Sequence, residues 1–416
     1  MRVLVFSSLY PNSVMPQFGL FVHRRVEAVA HRGVAVRVVA PGPWFPRILP
    51  IGRWRGYARL PKRERLAGLA VTHPRYLHPP GLGMYVQARN LYRAALPHLR
   101  TLRREFDFDV IDAHYMYPDG VAAAHLARRL GVPCVLTARG SDINLLPRFA
   151  MVRRQIVKAM HRADALVAVS GALADAMSRL GAESRKMHVV PNGIDRRRFS
   201  YGDPLVAREK LEIYSDENML LSVGNLNELK GHVLMIEAVA RLQHEGIRTS
   251  LHIFGEGEER PRLEARIAEL GLARQVVLHG SFPNERLGRW YRAASVFVLA
   301  SSREGWPNVL NEALACGLPV VSTSAGGVPE IVTHGESGLL VQERSAEAIA
   351  AALRAALQRS WDRRQIAARA SSRGWSDVAD QLVQIFSSVT KPAGVPGPGR
   401  PDAAAAPASA ASVLPA

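Results

Sequence analysis

Short apolar runs alternate with longer amphipathic stretches along most of the chain. Val3–Phe6, Val34–Ala40, Val110–Ala113, Cys134–Thr137 and Ala165–Ser170 are rich in valine and nearly free of charge, the composition of strands buried on both faces of a parallel sheet. Each is followed by a stretch with helical spacing, which is the βαβ rhythm of a doubly wound α/β fold. The rhythm breaks at Val189-Val190-Pro191-Asn192-Gly193-Ile194-Asp195, where a strand runs into a Pro-Asn-Gly turn and the basic run Arg196–Arg198. A second series begins at Met219–Val223 and continues through Ser250–Phe254, Val276–Leu278, Val296–Ala300, Pro319–Ser322 and Gly338–Val341. The pattern predicts two Rossmann-like domains, 1–195 and 196–374, then a helix at 375–390 that can cross back to the first. The stretch 391–416 is Pro, Ala, Gly and Ser with few large apolar residues, so it is expected to be disordered.

The length of 416 residues agrees with more than one core, because single cores rarely grow past roughly 250 residues. With 48% hydrophobic and 22% charged residues, the chain excludes global disorder and a fibre. Lys+Arg 54 against Asp+Glu 36 gives +18, but the excess is local: residues 1–200 hold 32 basic and 12 acidic residues (+20), and 201–416 hold 22 and 24 (−2). Cys134 and Cys316 lie far apart without metal-binding neighbours and read as core residues. Met1–Phe6 turns polar at Ser7-Ser8, too soon for a secretory segment. No run approaches the roughly 20 apolar residues of a spanning helix, so a cytoplasmic protein, soluble or peripheral to the membrane, is expected.

Pro43–Arg75 interrupts the first series and interleaves Trp44, Phe45, Trp54 and Tyr57 with Arg47, Arg53, Arg55 and Arg63. It reads as a loop of interfacial composition. Met84–Phe106 then sets Arg89, Arg93, Arg100, Arg103 and Arg104 beside Leu91, Leu96, Leu99 and Leu102, as in a basic amphipathic helix bent at Pro97. Such a face can be simply solvated, or it can meet an anionic membrane surface. No recognised nucleic-acid motif accompanies the charge, so nucleic acid is not an expected partner.

The strongest chemical signal is Glu304-Gly305-Trp306-Pro307-Asn308-Val309-Leu310-Asn311-Glu312, ending at Gly317. It follows the run Val296–Ala300, which places Glu304 outside the carboxyl end of a strand, where open α/β sheets bind ligands. A helix starting near Pro307 and stopping at Gly317 sets Glu312 one to two turns along it. The amides of Asn308, Val309 and Leu310 would then face a cleft and offer an anion site suited to a diphosphate. Asp107-Phe108-Asp109 looks like a DxD metal motif but directly precedes a buried strand, so no metal is expected there.

The spacing Glu304…Glu312 in this strand–loop–helix resembles the EX7E motif of retaining glycosyltransferases of family 4, which have the GT-B fold. The resemblance spans roughly residues 1–390. Further matches are Val223–His232, Phe254-Gly255-Glu256-Gly257, Val276–Phe282, Gly326–Glu330 and Pro191–Asp195. It implies two Rossmann-like doubly wound domains facing a central cleft, and metal-independent transfer from a nucleotide diphosphate sugar without a cofactor.

Residue by residue, the resemblance assigns Glu304 to the hydroxyls of the donor sugar, Glu312 to the ribose, Lys230 to the diphosphate, and Gly255, Gly257 and Phe282 to the base pocket. Many relatives have Arg where Asn225 stands, so a cation is missing, and stabilisation of the leaving group is expected to lean on Lys230, on the helix-terminal amides or on an arginine of the first domain, for which Arg139 is the candidate. Gly19 and Asp142 are expected on the acceptor side, and His114 projects from a strand end as a catalytic candidate. The opening segment is similar to bacterial members that build surface polysaccharides, which implies a glycan or polyprenyl-diphosphate-linked acceptor at the inner face of the membrane. Rival readings are an epimerase or inverting transferase on the same scaffold, and a sugar-binding protein without turnover.

Overall fold

Apolar residues at consecutive positions give the central strands two apolar faces, and both faces are covered. The computed structural model describes residues 1–44, 54–78 and 83–390. In the first sheet the strands lie in the order Met187–Val189, Ala165–Ala168, Cys134–Ala138, Val110–His114, Arg2–Phe6, Ala35–Val39, Leu69–Thr72, Arg63–Leu66. All pair in parallel except the last two, which form an antiparallel hairpin. Leu4, Phe6, Ile111 and Leu136 point to the face covered by helices Gly83–Glu105, Val121–Leu130 and Ala150–Arg162. Val3, Val5, Val38 and Val135 point to the other, covered by Leu20–Ala30 and Trp375–Val389.

The second sheet is wholly parallel, in the order Val276–Gly280, Thr249–Phe254, Asn218–Val223, Val296–Leu299, Val320–Thr323, Gly338–Val341. In each sheet the strand order reverses once around its first strand. Arg2–Phe6 is flanked by Ala35–Val39 and Val110–His114; Asn218–Val223 is flanked by Thr249–Phe254 and Val296–Leu299. Loops that leave the carboxyl ends of such neighbours diverge and open a crevice, which is where ligands bind.

The chain passes between the units at Gly193–Ile194 and again at Arg373–Gly374. The two passages run side by side, with Ile194 N–H donating to Arg373 O at 3.1 Å. Beyond the second, Trp375–Val389 buries Val378, Ala379, Leu382 and Phe386 in the first unit's core, packed on Leu20–Ala30.

The described part of the loop expected over Pro43–Arg75 forms regular elements. Residues 45–53, with Arg47 and Arg53, lie outside the described residues, and Trp54–Arg59 is a short helix. Arg63–Leu66 and Leu69–Thr72 form the hairpin that extends the sheet. Its turn is Ala67-Gly68, both with positive φ (46° and 80°), the geometry of a two-residue hairpin loop. Helix Gly83–Glu105 includes Pro97. Its Leu91, Ala95 and Leu99 are fully buried, so the centre of its apolar stripe is spent on the core, while Arg89, Arg93, Arg100 and Arg104 are exposed.

Candidate active site

The two loops at the reversal point of the second sheet carry the two strongest charges of the crevice. After Asn218–Val223 the chain turns through Gly224–Leu226 into the tight turn Glu228–Lys230, where the Asn227 side chain accepts from Lys230 N–H. After Val296–Leu299 the chain leads to Glu304. Arg344 ties the loops together, donating to Ala300 O at 2.8 Å and to Glu228 O at 3.2 Å. Lys230 Nζ donates to Glu304 Oε1 at 2.6 Å. The carbonyl of Glu304 fixes its own position against Gly326, which has φ +54° and where an added Cβ would come within 1.9 Å of that oxygen.

Opposite this pair, helix Asn308–Ala315 presents Glu312. Its Oε2 accepts from the Tyr291 hydroxyl at 3.1 Å, and its Oε1 accepts from Asn284 Nδ2 at 3.4 Å and lies 3.7 Å from Arg24 Nη1. Arg24 also donates to Asn284 Oδ1. Arg24 belongs to helix Leu20–Ala30, which follows the first strand of the other unit, so this contact spans the cleft. Burial raises the Glu312 pKa, and Arg24, Tyr291 and Asn284 oppose that without cancelling it. Burial likewise lowers Arg24, against the pull of Glu312. A cavity of about 340 Å³ lies among these groups, lined also by Gln17, Leu20, Phe21, Asn225, Trp306, Asn308 and Val309. The buried Trp306 Nε1 has no hydrogen-bond partner.

Further contacts draw the units together over the cleft. Asn192 Nδ2 donates to Asn308 Oδ1 at 3.0 Å. The Glu330 carboxylate accepts from the amides of Gly171 and Ala172 at 2.8 and 2.9 Å, at the start of helix Gly171–Arg179. A carboxylate at a helix N-terminus meets both free N–H groups and the positive end of the dipole.

Glu304, Lys230, Glu312, Asn225, Asn308 and Val309 therefore meet in one cavity. Other expected residues stand elsewhere. Leu310 is buried in the core, and its N–H donates to Pro307 O at 3.0 Å, so its amide is not free. Gly255 and Gly257 do not line the cavity; they let the chain pack against the backbone of Gly224 and Leu226. Phe282 also lies outside it, edge-on to Phe254. His114 is fully buried: Nδ1 accepts from Arg139 Nη2 at 2.8 Å and Nε2 lies 3.1 Å from Asp112 Oδ2, and burial lowers its pKa to about 4. It is a buried histidine that lines neither of the two cavities of the cleft.

Arg139 does not reach the Lys230 side. It is buried, donates to Asn192 Oδ1 at 3.2 Å and to His114, and its guanidinium stacks over Phe21. Asp142 is consumed by backbone amides: it accepts from Arg139 and Gly140 of its own loop and from Met116 of the neighbouring one. Gly19, at φ +68°, serves a close approach to Leu9 O, 2.5 Å from where its Cβ would be. Asp107 and Asp109 pair with Arg2, and Asp107 also with Arg103.

Sequence reasoning missed Arg24, Asn284 and Tyr291. The signal for Arg24 was its place one turn into the helix after the first strand, on the same side as Leu20 and Phe21. Next to the cavity, a second one of about 580 Å³ lies wholly within the first unit, lined by Phe18, Phe21, Tyr57, Tyr76, Tyr115 and Tyr117, with Arg139, Ser141 and Leu146 among its other walls.

Two parallel-sheet units facing a cleft define the GT-B architecture, and comparisons with known proteins agree. Residues 19–198 match the model of Glycosyltransferase Family 4, and residues 206–373 match that of Glycosyl transferases group 1. The chain is 31% identical to the D-inositol 3-phosphate glycosyltransferase 1 of Catenulispora acidiphila, over 75% of this chain and 80% of that protein. It is 29% identical to the Bacillus subtilis protein named as a teichuronic acid biosynthesis glycosyltransferase, TuaC, over 85% and 88%. Among solved structures, sucrose-phosphate synthase of Thermosynechococcus elongatus superposes with TM-score 0.75 (19% identity; 93% and 98% covered), and Anabaena HepE in complex with UDP and glucose with 0.71 (20%; 93% and 99%). The chain belongs to the family 4 glycosyltransferases.

Proposed function

We propose that the protein transfers a sugar, with retention at the anomeric carbon, from a nucleotide diphosphate sugar to a hydroxyl of a lipid-linked glycan in surface polysaccharide synthesis. The observation that carries this reading is the pair of charged centres at the reversal point, Lys230–Glu304 on one side of the cavity and Arg24–Glu312 on the other. A diphosphate between Lys230 and the amides of Asn308 and Val309 leaves the sugar toward Glu304 and the ribose toward Glu312. An ionised Glu312 accepts most strongly from ribose hydroxyls, and Arg24 favours that state.

No carboxylate is cast as a nucleophile: the leaving phosphate takes the acceptor's proton as the hydroxyl attacks from the same face, and Glu304 positions the sugar. Lys230 and the helix-end amides stabilise the departing diphosphate, so neither a metal nor a cofactor is needed. The complexes of HepE with UDP and with UDP-glucose support a nucleotide sugar as donor, and the similarity to TuaC and to the Salmonella typhimurium colanic acid biosynthesis glycosyltransferase WcaL supports the polysaccharide setting.

A thermal-shift screen of UDP-, GDP-, TDP- and ADP-sugars identifies the donor class, since stabilisation scales with affinity. With that donor, Lys230→Ala and Glu304→Ala each lower kcat by about 10²-fold or more, and EDTA leaves the wild-type rate unchanged. Near-normal turnover in both variants refutes the site.

A further inference from the structure

We infer that the helical face formed by Gly83–Glu105, Val121–Leu130 and Ala150–Arg162 is the surface on which the protein rests on an anionic lipid bilayer, with Phe149 and Met151 entering the interface. The inference deepens the lipid-linked acceptor reading and rests on it. The three helices are neighbours on one side of the first sheet. They carry eleven Lys and Arg residues, five on the first, two on the second and four on the third, against the single Glu105. On the opposite side, helices Leu20–Ala30 and Trp375–Val389 hold Glu27, Asp377 and Asp380, and Arg32 and Arg196 pair with these aspartates. The excess of cations over carboxylates on the three-helix face favours that side against an anionic surface.

Charge alone would suit any polyanion, and the apolar side chains decide the partner. The apolar stripe of Gly83–Glu105 is buried, but Phe149 is 40% and Met151 58% exposed at the start of Ala150–Arg162. Arg148, Arg153 and Arg154 stand around them and are exposed. A shallow hollow beside them is lined by Arg153, Arg154, Lys158 and Arg179 with Val157 and Leu180. Among the described residues no carboxylate pairs with Arg153, Arg154 or Lys158. Protruding aromatic and thioether groups ringed by cations gain from an acyl–headgroup boundary and gain nothing from a phosphate backbone in water. Leu146, in the turn that leads to Phe149, lines the aromatic cavity of the first unit. A glycan anchored in the bilayer would thus meet that cavity close to where the protein touches the lipid.

The test is sedimentation of the full chain with phosphatidylcholine vesicles, with and without phosphatidylglycerol, at low and high salt. The expected result is binding to the anionic vesicles alone and release by high salt. The variant Arg153→Gln/Arg154→Gln/Lys158→Gln should bind on the order of 100-fold more weakly, at about five-fold per cation. Phe149→Ser/Met151→Ser should bind about ten-fold more weakly with its charges intact; serine is also a favourable helix cap at position 149. Wild-type protein left in the supernatant overturns the inference, as does either variant binding like wild type. Tighter binding to a DNA duplex than to anionic vesicles assigns the face to nucleic acid and also overturns it. Donor hydrolysis without lipid is read in parallel: hydrolysis kept while vesicle binding is absent sinks the surface alone, whereas vesicle binding without hydrolysis of any nucleotide sugar counts against the proposed function.

Discussion

Replacing Arg24 by alanine leaves Glu312 as a buried carboxylate facing only neutral donors. Both side chains are largely shielded, 12% and 6% exposed, with 3.7 Å between Nη1 and Oε1. At that distance an effective dielectric of about 20 gives an attraction of about 4 kcal/mol. The full amount is not lost, because Tyr291 and Asn284 still donate to Glu312 and the carboxyl can escape by binding a proton. A net loss of roughly 2 kcal/mol near neutral pH follows, less than the roughly 3–5 kcal/mol that breaking a fully buried pair costs. For a unit of this size that lowers Tm by roughly 4–8 °C.

The sign of the pH dependence follows from the direction of the Glu312 shift. Its folded pKa is already raised, and without Arg24 it rises further, so the folded variant holds a proton that the unfolded chain releases. Its stability is then retained at acidic pH and lost as pH rises through the folded value. Thermal melts near pH 5 and near pH 8 should show a deficit for Arg24→Ala that is small in acid and largest in base. In a Glu312→Gln background the same change should cost little at either pH, because the arginine then has no carboxylate. A deficit that is equal at both pH values and in both backgrounds refutes the coupling, and with it the role of Arg24 in holding Glu312 ionised.

Glu330→Ala removes a carboxylate that caps a helix across the cleft, worth roughly 1–2 kcal/mol; a donor Kd raised by about 10-fold and a larger radius of gyration by X-ray scattering are expected, with Tm little changed. Gly326→Ala drives a Cβ into Glu304 O, so kcat should fall by about 10²-fold while a melt still shows a folded protein. Because burial holds the His114 pKa near 4, the unfolded chain binds a proton between there and the usual 6.5 that the folded one does not, and stability falls as pH drops through that window. His114→Asn should remove about 2 kcal/mol of the loss between about pH 7 and pH 5, read as urea midpoints.

The strands were legible because a parallel sheet covered on both faces leaves uninterrupted apolar runs such as Ala165–Val169 and Val296–Ala300. The hairpin Arg63–Leu66/Leu69–Thr72 was not, since an edge pair with charged outer positions shows little apolar periodicity, and Ala67-Gly68 is a weak turn signal beside the surrounding arginines. Within the site, position relative to strand ends placed Lys230, Glu304 and Glu312, whose loops come from adjacent strands of one sheet. It failed for His114, Arg139 and Asp142, which share the same kind of location. Their side chains satisfy one another and nearby amides instead, and no one-dimensional pattern records which way a strand-end side chain turns. Arg24 was hidden for the converse reason: its partner Glu312 lies 288 positions away and on the other unit.

The central claim is retaining transfer from a nucleotide sugar at this cleft, and a proton NMR time course of the wild-type reaction with the donor chosen by thermal shift tests it most directly. The account predicts that the first product formed carries the anomeric configuration of the donor. A first-formed product of opposite configuration, or no cleavage of any nucleotide sugar, would contradict it.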